Sequence, residues 1–155
     1  MMTVKSKSAN SLSNIGENIM RKITKESAKA FVSFKPYKKD NTEVVIDHNG
    51  EDAKLYLHDH CIAYSIGFGV VKNIDLCGWH TATTRERING VLDAWGYDFR
   101  IAQRKGEQVL VRKNTSNGKD ILKLSDDSFD PVHAECVFNS PYLISGTDLG
   151  AIKNF

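Results

Sequence analysis

The sequence is poor in the features that fix a protein's class at sight. Its 155 residues include three cysteines, three prolines and two tryptophans. Cys61, Cys77 and Cys136 are an odd number in a chain large enough to fold without staples, which argues against a disulfide framework and for reduced thiols. No apolar run approaches the roughly 20 residues that cross a bilayer as a helix. Lys5 and Lys7 are not followed by a hydrophobic stretch, so Met1 to Asn10 does not read as a secretory signal and a cytoplasmic protein is expected. A phosphate-cradling loop is missing too, because Gly67-Phe68-Gly69 lacks the third glycine and the helix start such a loop needs.

What is present describes an ordinary single domain, 41% hydrophobic and 26% charged. A chain of this length buries roughly 68 to 70% of its unfolded surface on folding. The formal net charge of +2 conceals a split. Met1 to Asp40 holds nine bases and three acids, a net of +6, so the remaining 115 residues carry −4. Such an arm attracts a polyanion or folds back on its own acidic body.

Residues 1 to 13 are rich in Ser, Lys and Asn and read as a flexible tail. Residues 14 to 40 form the basic arm, with Ile15, Ile19 and Ile23 at helical spacing predicting a helix over Asn14 to Phe31. Residues 41 to 125 are the expected core. There Glu43 to Asp47 and Lys54 to Tyr64 read as strands joined by the turn His48-Asn49-Gly50-Glu51, and Val70 to Leu76 as a third strand. Thr83 and Glu86 read as a capping box opening a helix, whose Ile88, Val91, Leu92 and Trp95 share a face and whose stop is Gly96. Gly90 inside it predicts close approach of helix to sheet. Phe99 to Arg104, Gln108 to Lys113 and Asp120 to Leu124 read as further strands, with turns at Lys105-Gly106 and Asn117-Gly118. Residues 126 to 155 show no sustained period and are expected to wrap over the domain. The whole predicts an α+β fold, an antiparallel sheet of about five to six strands packed by one central amphipathic helix.

Leu57, His58, Ile62 and Ala63, followed by Gly78, Trp79, Thr81, Thr83, Thr84, Arg87 and Asn89, form a pattern that resembles a family of small proteins of tailed bacteriophages. The likeness covers about residues 28 to 112 and departs at Asp59-His60, at Ile88 and beyond Thr115. It implies phage origin and brings no mechanism with it.

His58, His60, Cys77 and His80, with Cys61 beside them, are soft ligands suited in number to tetrahedral zinc. His58 and His60 would share a strand face, which Cys61 would not, and Cys77-x-x-His80 is only half of a recognisable zinc spacing. The same residues with Asp59 or Asp75 supply the parts of a thiol enzyme, yet geometry rather than inventory makes a triad. No cofactor is called for. Nucleic-acid binding would use Arg21, Lys22, Lys25, Lys29, Lys38 and Lys39 of the arm, with Tyr37 and Phe34 interleaved and Arg85 and Asn89 on the exposed face of the central helix. Arg87 is expected on that face as well, and Trp79 in the core. The leading expectation is a phage accessory protein acting in the host cytoplasm by binding and modulating a host protein. The arm and an acidic patch of Asp126, Asp127 and Asp130 would be its contact surfaces, the patch competing for a basic surface that normally holds nucleic acid.

Overall fold

The computed structural model describes residues 20–113 and 120–152. Their element order is α1 (Lys22–Val32), β1 (Tyr37–Lys39), β2 (Thr42–Asp47), β3 (Asp52–Leu57), β4 (His60–Ile66), β5 (Val71–Asp75), α2 (Ala82–Trp95), β6 (Phe99–Arg104), β7 (Glu107–Arg112), β8 (Ile121–Lys123), β9 (Ser128–Phe129), α3 (Pro131–Phe138) and β10 (Thr147–Asp148). A 3-10 turn, Leu149–Ala151, follows. The expected α+β class holds. A six-stranded sheet in the order β1-β2-β3-β4-β5-β9 is antiparallel throughout. The second meander builds a separate sheet in the order β10-β8-β7-β6, where only β10 runs parallel to its neighbour.

The local signals explain most of this. The β2–β3 hairpin turns over His48 to Glu51, with positive φ at His48, Asn49 and Gly50, and the two-residue turn Lys105-Gly106, both at positive φ, closes β6 onto β7. The stretch read as one strand over Lys54 to Tyr64 is instead a second hairpin. His58 and Asp59 take φ values of 49° and 66° between Leu57 and His60, the twisted two-residue turn that matches strand twist. Only α1 represents the helix predicted over Asn14 to Phe31, since residues 14–19, like the tail and the Asn117-Gly118 turn, lie outside the described residues. The C-terminal stretch contains α3, capped by the Asp130 side chain on the Val132 N–H and opened by Pro131 at its first turn.

One core joins both sheets and the helices. Phe31, Leu55, Ile74, Leu76, Ile88, Leu92, Phe99, Leu110 and Leu122 are fully buried in it, so α1 is part of the packed body. Gly90 does mark a close approach, but to α1 rather than to a sheet, for a Cβ there would stand 2.6 Å from Thr24 Cγ2. Contacts of Arg21 with Glu86, Thr24 with Gly90 and Phe31 with Trp95 align the two helices in the same direction.

Polar residues fix this arrangement. Thr81, not Thr83, is the N-cap of α2, accepting from the Thr84 N–H. Glu86 turns away from the cap because two guanidiniums and a hydroxyl draw it: it accepts from Arg21, Arg87 and Thr24 at 2.8 to 3.0 Å. Arg87, expected on an exposed face, is 2% exposed and donates to Thr24, Thr42 and Glu86, tying α1, β2 and α2 together. Asn89, expected to face nucleic acid, bonds the backbone N–H and carbonyl of Ile101 and docks α2 on β6.

Candidate functional site

Two surfaces at opposite ends of β4 combine shape with apolar exposure. The first is a cleft of about 270 Å³ between the β3–β4 turn and the start of α2, lined by Leu57, His58, His60, Ile62, Trp79, Thr81, Thr83 and Thr84. Trp79 is not a core anchor. It is 52% exposed, its ring tilted over that of His60 with centroids 5.4 Å apart. A tight turn puts it there: Cys77 and Gly78 both have positive φ, and the Trp79 N–H donates to the Leu76 carbonyl. Carboxylates hold the turn. Asp75 accepts from the Cys77 N–H, while Asp127 accepts from the Gly78 N–H at 2.6 Å and the His80 Nε2–H at 2.7 Å.

The second surface is the end of the β4–β5 hairpin, where Ile66, Phe68, Val70 and Val71 are 38 to 84% exposed. This end is braced, since the Phe68 N–H donates to the Glu51 carbonyl and the Gly67 N–H to Asp52. Phe68 also meets Phe34 edge-on at 5.4 Å, just beyond the end of α1. The start of α1 lies at the other surface, where Arg21 Nη2 reaches Thr83 Oγ1 on the cleft wall. Helix α1 therefore bridges the two, with Lys22, Lys25 and Lys29 exposed along it.

The residues singled out from sequence are dispersed. Arg21 pairs with Glu86 and Lys22 with Glu26, whereas Lys25, Lys29, Lys38 and Lys39 are exposed without an ion pair among the described residues. Arg85 is spent inside the fold on the His80 carbonyl, Gln103 and Gln108. In the acidic patch Asp127 clamps the Trp79 turn and Asp130 caps α3. Asp126 is exposed and shares with Asp130 and His133 a separate hollow of about 450 Å³.

His58, in the hairpin turn, does not share a strand face with His60, and its Nε2 lies 3.2 Å from Asn41 Nδ2. His80 is held by Asp127, and the Cys77 thiol donates to the Cys61 carbonyl. Among the described residues no three His, Cys, Asp or Glu side chains are grouped to hold a metal ion. Burial, reinforced by Asp75, Cys61 and Asp127, pushes the Cys77 thiol up to about 11, so it is protonated and a poor nucleophile at neutral pH. The Trp79 cleft and the hairpin end were missed by sequence reading, because isolated apolar residues are assigned to the core by default. Phe68 between two glycines was the signal that could have exposed the second.

A family model described as Kyanoviridae Gp96 protein matches residues 20–129 of the 155. The match spans both surfaces and the bridging helix. No curated protein and no solved structure matches the chain.

Proposed function

Because this chain belongs to the Kyanoviridae Gp96 protein family, and so is a tailed-phage protein, we propose that it is an accessory protein that binds a host protein and modulates it. The observation that carries this reading is the braced apolar hairpin end. Phe68 and Val70 are 65% and 84% exposed on a backbone already tied down by Asp52 and Glu51. Grouped apolar side chains on a fixed loop gain roughly 1.5 to 3 kcal/mol each when a partner covers them, and binding then costs little ordering of the loop. The site of action is the host cytoplasm. No helix of the described residues is long and apolar enough to cross a membrane.

Affinity capture from host lysate, after nuclease treatment and in high salt, tests the proposal when wild type is compared with Phe68→Ser/Val70→Ser. The expected result is one host protein retained by wild type and lost with the variant. Equal retention by both would overturn the role of the hairpin end.

A second reading, nucleic-acid binding by the basic arm, draws on one specific observation: Lys25, Lys29, Lys38 and Lys39 have no ion pairs among the described residues. It predicts affinity for DNA or RNA that falls steeply with salt, as counterion release requires, and that is lost in a Lys25→Glu/Lys29→Glu variant.

A further inference from the structure

We infer that the Trp79 cleft is the docking pocket for one large apolar side chain of an acidic segment of the partner protein, whose carboxylates run along α1. This rests on the protein-binding reading and specifies its chemistry. The cleft has an apolar floor of Leu57 and Ile62 and an aromatic wall of Trp79 over His60, and its volume of about 270 Å³ suits one side chain rather than a drug-sized ligand. Its hydroxyls are partly engaged within the chain. Thr81 Oγ1 accepts from the Thr84 N–H and lies 3.0 Å from Thr84 Oγ1, and Thr83 Oγ1 accepts from Arg21.

The exposed lining is mostly carbon, so an apolar side chain loses nothing on entering, whereas a nucleobase would have only the His58 and His60 rings and the Thr83 hydroxyl hydrogen to meet its polar edge. A half-exposed tryptophan in a shaped pocket is also the residue type that dominates protein interfaces.

The charge around the cleft chooses the flanks of the guest. Arg21 stands at the cleft wall, and Lys25 and Lys29, beyond the Lys22–Glu26 pair, lead from it along α1 toward the hairpin end. Arg21, Glu86 and Arg87 together leave one positive charge at the start of this track. An acidic chain anchored in the cleft therefore gains attraction along the helix, and a basic one is repelled.

The test labels both tryptophans with 5-fluorotryptophan and follows their fluorine resonances while capped peptides are added at millimolar concentration. The probe is Glu-Asp-Glu-Phe-Glu-Asp-Glu, with controls carrying Ala for Phe or Lys for every acid, and an oligothymidylate. Trp79→Phe identifies its resonance. The phenylalanine peptide is expected to shift the Trp79 signal and leave Trp95 in place, the alanine control to bind at least tenfold more weakly, and Lys25→Glu/Lys29→Glu to weaken binding at least threefold. No shift with any peptide, or a shift with oligothymidylate alone, overturns the assignment. If the peptide shifts Trp79 but no host protein is captured, the cleft stands and the wider reading falls; capture without any shift has the opposite meaning.

Discussion

Single residues carry more of this fold than their types suggest. Glu86 sits among Arg21, Arg87 and Thr24. Burial works to raise its carboxyl, but the hydrogen bonds from Arg21 and Thr24 and the charge of Arg21 outweigh it and hold the group below the usual glutamate range. A depressed folded-state pKa means stability that is present above the ordinary value of about 4.3 and lost as pH falls through the lower one. Urea titrations from pH 7 to pH 2 are expected to show this loss in wild type and a flatter profile in Glu86→Gln. Glu86→Ala, which leaves the buried Arg87 without a carboxylate, is expected to cost about 3 kcal/mol at pH 7. Cys77 gives a chemical check. With its thiol pushed up to about 11, iodoacetamide at pH 7.5 is expected to modify the exposed Cys136 first and Cys77 slowly, as mass spectrometry of digested protein would show. Fast alkylation of Cys77 would contradict the protonated thiol. Arg87 also shows where sequence reading stops. Nothing in its neighbours reveals that Thr24 and Thr42, distant in the chain, will satisfy its guanidinium in the core.

At the scale of elements, the packing of α1 on α2 turns on one missing methyl group. Alanine at Gly90 would improve helix propensity by roughly 1 kcal/mol, yet its Cβ would stand 2.6 Å from Thr24 Cγ2 and 3.3 Å from the Thr24 carbonyl oxygen. Thr24 cannot swing aside without surrendering its bonds to Glu86 and Arg87. Gly90→Ala is therefore expected to destabilise the protein by about 1 to 3 kcal/mol in urea unfolding, and Thr24→Ser to recover part of the loss. Asp127→Ala, which releases the clamp on the Trp79 turn, is expected to cost about 1 to 2 kcal/mol and to change the exposure of Trp79 measured by fluorescence quenching. The elements written in local chemistry were legible: the Asn49-Gly50 hairpin, the Lys105-Gly106 hairpin and the apolar stripe of α2. His58-Asp59 was not, because the turn has no glycine to mark it and the strand pattern runs through it unbroken, so Asp59 alone did not break the reading. Helix α3 did carry a signal, Asp130 before Pro131, but its eight residues are too few for a period to emerge.

For the whole molecule, the decisive feature is a helix that belongs to the core yet bridges two apolar surfaces at the ends of β4. The class could be read from the order of strand and helix patterns and the charge split from the residue counts, whereas the bridge depends on which ends of the elements tertiary packing brings together. The most direct measurement of a role in binding a host protein is photocrosslinking in infected cells, with p-benzoylphenylalanine placed at Phe68 and, as a control, at the exposed Lys105 in the β6–β7 turn. A discrete adduct with one host protein is expected from position 68 and none from position 105. Adducts with nucleic acid from position 68, or the same pattern from both positions, would contradict that role.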